Sequence, residues 1–162
     1  MKAKYAEALM DMAIRFAETS TAERLKVGSL IYKNSSIISL GVNGQPPGWE
    51  TEVCEERVYA NGAGAWIDDV EEEYPHKDKE GQLYKLRTYG TVRHAEAAAL
   101  EKLYLSTETS EGAEMFISHS PCLNCSLKIV AAKIQKVYYR HEYRCSMGIE
   151  YLEKNGIEVT KI

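Results

Sequence analysis

The chain has no apolar run approaching the ~18 residues a membrane-spanning helix needs, so the sequence offers no transmembrane segment. It also lacks a surplus of positive charge. Twenty Lys and Arg stand against 24 Asp and Glu, a formal net charge of −4. Proteins that grip a nucleic-acid backbone usually carry a basic surface, so this balance argues against a polymeric nucleic acid and for a small substrate. Cysteine is scarce: Cys54, Cys122, Cys125 and Cys145 are all there is. There is no internal repeat and no low-complexity segment. Met1-Lys2-Ala3-Lys4 leads into an amphipathic pattern rather than an apolar signal core, and the chain is expected to be cytoplasmic. What is present is ordinary globular material. The 162 residues are 44% hydrophobic and 27% charged, enough for one self-supporting domain over 1–162.

Hydrophobic spacing predicts a helix from about Lys2 to Glu18, with Tyr5, Ala8, Leu9, Met12, Ala13, Phe16 and Ala17 on one stripe. Val27 to Lys33 and Ile37 to Val42 read as a hairpin turning at Asn34-Ser35. Gly44-Gln45-Pro46-Pro47-Gly48 then breaks regular structure. From about 50 to 93 there is no steady period, only an acidic run over 68–73, read as a solvated face, and a polar turn near 77–81. A stretch this long is expected to be an insertion, functional or mobile. Regularity then returns: helix from His94 to Leu105, strand Ala113 to Ser118, helix Cys122 to Lys133, strand Lys136 to Arg140, helix Ser146 to Asn155 stopped by Gly156, and strand Ile157 to Thr160. A helix, two strands, then three strands alternating with helices predict an α/β mixed sheet covered on both faces.

Two motifs carry the chemistry: His94-Ala95-Glu96 and Pro121-Cys122-Leu123-Asn124-Cys125. They offer one imidazole, two thiolates and a carboxylate that need not be a ligand. Cys122 and Cys125 at i and i+3 share a helix face, and a helix N-terminus favours thiolates. His94 falls at the start of its own predicted helix. A strand between the two helices would let both N-termini meet at one sheet edge. His94, Cys122 and Cys125 are therefore expected to hold zinc with water in the fourth position, and Glu96 to act as general acid/base. Two other readings compete: a closed structural site using Cys54, Cys145 or His119 as fourth ligand, and a redox pair formed by Cys122 and Cys125.

H-x-E followed by P-C-x-x-C marks the zinc nucleobase deaminases. The chain resembles the deoxycytidylate (dCMP) deaminase family within the cytidine deaminase superfamily, particularly its short viral members. Besides the zinc motifs, the resemblance rests on Arg24-Leu25-Lys26-Val27-Gly28, on Gly41-Val42-Asn43-Gly44-Gln45-Pro46-Pro47-Gly48 and on the segment from Val137 to Arg144. It implies a three-layer α/β/α cytidine-deaminase-like fold with a five-stranded mixed sheet. It implies hydrolysis of dCMP to dUMP and ammonia, supplying dUMP for thymidylate synthesis. Asn43 would face the sugar, main chain at Ala95 the pyrimidine carbonyl, and main chain at Ser120 the departing amine. Arg24, Lys26, Tyr143 and Arg144 would form the phosphate side. The resemblance further implies a homo-hexamer in the cytoplasm (the host's, for a viral protein). It implies activation by dCTP with Mg2+ at a regulatory site involving Gly44, Pro46 and Gly48, and inhibition by dTTP. The chain departs from the family at Ala98, where Asn is common, and at Cys54, which stands alone where members have paired cysteines. Another cytosine nucleoside or nucleotide as substrate, or a non-catalytic zinc-stabilised binding module, are the alternative functions.

Overall fold

The computed structural model describes residues 1–60 and 72–162. Four helices are assigned among them: α1 (Ala3–Ala17), α2 (Ala95–Leu103), α3 (Leu123–Ala131) and α4 (Met147–Lys154). The main sheet is built from β1 (Gly28–Lys33), β2 (Ser36–Val42), β6 (Glu114–His119), β7 (Lys136–His141) and β8 (Glu158–Lys161). Its order is β2-β1-β6-β7-β8, antiparallel for β2-β1-β6 and parallel for β6-β7-β8. This is the expected five-stranded mixed sheet.

Side-chain alternation decides which helix covers which face. Leu30, Phe116 and Tyr138 lie in register across three strands, and the Phe116 and Tyr138 rings stack with centroids 4.5 Å apart. α1 covers this row with Ala6, Leu9, Met10 and Ala13. One residue along each strand, Ile31, Met115 and Val137 face the other way. Ala99, Leu100 and Leu103 of α2, Ile129 of α3 and Leu152 of α4 cover that side. The result is three layers with a core on each face of the sheet.

Asn34 and Ser35 both have positive φ (50° and 63°), the conformation of a tight two-residue hairpin turn whose twist matches its strands. Gly156, at φ 77°, ends α4 as expected. The segment between β2 and α2 departs from the expected aperiodic stretch. It holds a second, antiparallel sheet, β3 (Glu55–Tyr59), β5 (Leu83–Thr88) and β4 (His76–Lys77), ordered β3-β5-β4. These strands bury no apolar face and so leave no period-two signal. They are joined by cross-strand pairs instead: Glu56 with Arg87 at 2.6 Å, Tyr59 with Tyr84 at 5.7 Å between centroids. The polar turn is the β4–β5 hairpin loop, where Asp78 accepts the Gln82 and Glu80 backbone N–H groups. Residues 68–71 of the acidic run lie outside the described residues.

Candidate active site

In the parallel half of the sheet, each helix starts where a strand has just ended, so helix N-termini gather at the strands' C-terminal edge. β6 ends at His119, and Ser120-Pro121 lead into α3 with Cys122 at its N-cap. His94 is the N-cap of α2. The backbone of Arg93 exchanges two hydrogen bonds with Gly44, at 2.9 and 3.1 Å, which pins the start of α2 to the glycine loop after β2. Two further glycines set the spacing. A Cβ at Gly41 would collide with the α2 backbone at Ala95 and Ala99, and one at Gly148 with the backbone of Pro121 and Cys122. Both motif segments are thus held by backbone-to-backbone approaches that only glycine allows.

The ligand atoms of His94, Cys122 and Cys125 lie within 4.8 Å of one another. His94 Nδ1 is 3.6 Å from Cys122 Sγ and 3.4 Å from Cys125 Sγ. Zn–S of about 2.3 Å and Zn–N of about 2.0–2.1 Å at a tetrahedral angle give an N···S edge of roughly 3.5–3.6 Å. The three donors fit zinc. Among the described residues no fourth His, Cys, Asp or Glu joins the group. Cys54 is buried elsewhere, its Sγ 3.4 Å from Thr21 Oγ1.

Electrostatics agrees with the donor set. The Cys125 thiol and the His94 imidazole pull the Cys122 thiol down to about 3, and the same Cys122 contact together with burial pushes Cys125 up. Protons alone would leave one thiolate and one thiol, whereas a cation shared by both sulfurs replaces the remaining proton. The Cys122 contact raises the His94 pKa against the effect of burial. Glu96, in the first turn of α2, is only 4% exposed, and burial pushes its carboxyl above the usual range. A carboxyl held this way keeps its proton to higher pH than an exposed one does.

His94, Glu96 and Cys122 open onto a cleft of about 320 Å3. Arg24, Asn43, Ala95, Ser120, Tyr143 and Arg144, all expected at the site, line it. Asn43 also braces the wall: its Oδ1 accepts the Val27 N–H and its Nδ2 donates to Leu25 O, each at 2.8 Å. Ser120 Oγ accepts the Tyr143 N–H at 2.7 Å, tying the segment after β7 to the zinc motif. His119 faces the cleft, its ring 5.1 Å from that of His141. Lys26 does not line the cleft; its ammonium donates to Glu18 O at 3.3 Å, because the chain turns that side chain toward the end of α1. Gly44, Pro46 and Gly48 are also outside the lining. Glu55 and Thr88 of the small sheet line the cleft and were not foreseen, since nothing in an aperiodic charged stretch marks them.

A family model described as the cytidine and deoxycytidylate deaminase zinc-binding region matches residues 3–141. The chain belongs to this deaminase family. The deoxycytidylate deaminase of Mycobacterium phage D29 is 31% identical over 141 residues, 84% of this chain and 94% of its own. The crystal structure of the dCMP deaminase from the cyanophage S-TIM5, in complex with dCMP and dUMP, superposes with a TM-score of 0.79 at 37% identity, covering 100% of this chain and 99% of that one. A diaminohydroxyphosphoribosylaminopyrimidine deaminase/5-amino-6-(5-phosphoribosylamino)uracil reductase from Thermotoga maritima shares the fold, with a TM-score of 0.63 at 20% identity, covering 96% of this chain and 36% of that one. The matched zinc-binding region spans His94, Cys122 and Cys125, whose donors fit zinc, and the α/β/α layering is shared with the cyanophage structure.

Proposed function

We propose that this deaminase converts dCMP and water to dUMP and ammonia, with residues 1–162 acting as one zinc-dependent domain carrying an insertion over about 50–93. The observation that carries the reading is a single cleft. It is lined by His94 and Cys122 of the zinc-fitting group, by Glu96 two residues from His94, and by Arg24, Tyr143 and Arg144. The phage relatives with that activity add support.

His94, Cys122 and Cys125 would hold zinc, which would supply Lewis-acid activation of the attacking water, lowering its pKa toward ~7. The remaining work belongs to the chain. Glu96 takes the proton from the attacking water and passes it to the pyrimidine ring nitrogen. It then takes the remaining proton from the added hydroxyl and delivers it to the exocyclic amine as the C–N bond breaks, so the amine leaves as ammonia and a carbonyl remains. Main chain at Ala95 holds the pyrimidine carbonyl. The Ser120 N–H is engaged by His141 O at 2.8 Å, and its carbonyl receives the departing amine. Asn43, braced by Leu25 and Val27, meets the sugar. Arg24, Tyr143 and Arg144 hold the 5′-phosphate through charge-assisted hydrogen bonds. Lys26 contributes long-range charge.

The same reading includes a homo-hexamer in the cytoplasm that supplies dUMP for thymidylate synthesis. It is activated by dCTP with Mg2+ through the Gly44–Gly48 loop and inhibited by dTTP. The test is deamination of dCMP by zinc-loaded protein, followed as loss of cytosine absorbance, with and without dCTP and Mg2+. Turnover that rises with dCTP supports both parts. Turnover indifferent to dCTP refutes the regulation. No turnover of dCMP, with turnover of cytidine or dCTP instead, refutes the substrate assignment.

A further inference from the structure

The small sheet β3-β5-β4 reaches the cleft through one cross-strand pair. Glu55 and Thr88 are direct partners in the β3–β5 ladder, so their side chains stand side by side on one face. Both grip the same short segment of the main domain. Glu55 is 8% exposed, and its two carboxylate oxygens accept the backbone N–H groups of Glu23 at 3.1 Å and Arg24 at 3.5 Å. Thr88 Oγ1 accepts an N–H of the Arg24 guanidinium at 3.0 Å. From the other side, Asn43 holds Leu25 and Val27. Segment 23–27 is therefore clamped at both ends, and the small sheet fixes the backbone and the head group of one cleft-lining cation.

We propose that Glu55 and Thr88 are positioning residues that aim Arg24 at the 5′-phosphate, so the small sheet sets the preference for a nucleoside monophosphate over the bare nucleoside. The proposal rests on the dCMP reading above. A free arginine side chain loses rotamer freedom when it grips an anion, and one already held loses less. Only one of five guanidinium N–H donors is committed to Thr88, which leaves the fork able to take phosphate oxygens. Their side-chain hydrogen bonds go to Glu23 and Arg24 and not to His94, Glu96, Cys122 or Cys125, so their effect falls on binding of the phosphate and spares the chemical step.

The experiment compares steady-state kinetics on dCMP and on deoxycytidine for wild type, Thr88→Val, Thr88→Ser and Glu55→Gln, all zinc-loaded. Loss of one ordinary hydrogen bond predicts that Thr88→Val raises KM for dCMP about fivefold with kcat retained. It should leave kcat/KM for deoxycytidine unchanged, because that substrate has no phosphate. Thr88→Ser, which keeps the acceptor oxygen, should restore the wild-type KM. Glu55→Gln should move KM for dCMP in the same direction. Thr88→Val with a wild-type KM, or with equal losses on both substrates, overturns the proposal. So does a wild type that deaminates the two substrates with equal kcat/KM. A wild type that deaminates deoxycytidine but not dCMP overturns the underlying reading itself and is seen before any variant is compared.

Discussion

Replacing Glu96 with Gln keeps the side-chain volume at a site only 4% exposed and removes the carboxyl proposed to move protons. General acid/base catalysis by a placed side chain contributes about 10²- to 10⁴-fold, so kcat should fall by that factor, a barrier increase of ~2.7–5.4 kcal/mol. Stability should move the other way. Burial raises the Glu96 pKa in the folded protein, so above the ordinary carboxylate pKa of about 4.3 the folded state resists an ionisation that the unfolded chain undergoes freely. That cost grows as pH rises from there through the folded pKa, and a neutral Gln does not incur it. The variant should therefore melt at or above the wild-type temperature at pH 7 while retaining stoichiometric zinc. The assay combines initial rates on dCMP, metal analysis and a thermal melt on the same preparation. A zinc-replete Glu96→Gln protein within tenfold of wild-type kcat would falsify the assigned role. One that lost its zinc would show that Glu96 serves the metal group instead.

Three further outcomes follow from the same geometry. Cys125→Ser should lose most bound zinc; at metal ~100-fold above the wild-type dissociation constant, this forfeits a stabilisation of about 5–10 °C in Tm, measurable by melts with and without chelator. Gly41→Ala and Gly148→Ala should each destabilise by about 1–3 kcal/mol and reduce activity, because the new methyl must push α2 or the Pro121-Cys122 backbone away; denaturant midpoints and zinc content check this, and unchanged midpoints would contradict the close approaches. Burial, and then the neighbouring His141, hold the His119 pKa below its usual value. Its contribution to stability is thus lost as pH falls below about 6.5 and through the folded pKa, so His119→Gln should lose less Tm than wild type between about pH 7 and pH 5, and parallel curves would refute it.

The elements of the main sheet were legible because its inner strands β1, β6 and β7 bury both faces and each helix buries one. Met115-Phe116-Ile117 repeats at the period its packing demands, whereas the α1 stripe was legible only in part: Leu9, Ala13 and Ala17 are buried as expected, but Tyr5, Ala8 and Met12 are exposed and Ala6 and Met10 take their place on the core face. The metal group was legible for a local reason: Cys122 and Cys125 sit three apart on one helical turn, and His94 opens another helix of recognisable period. The small sheet was not legible. β3 and β5 are held by cross-strand contacts such as Arg57 over Tyr84, which impose no apolar alternation.

By itself, then, the sequence determined the layered scaffold, the candidate metal group and the neighbouring carboxylate, each announced by a short motif or a local period. Only the tertiary structure decided who shares the cleft. It brought Glu55 and Thr88, 31 and 64 residues from Arg24, into contact with that residue, and it turned Lys26 away to the Glu18 carbonyl. Such contacts arise from strand pairing and from backbone approaches at Gly41 and Gly148, and long-range pairing leaves no local periodicity in the chain to read.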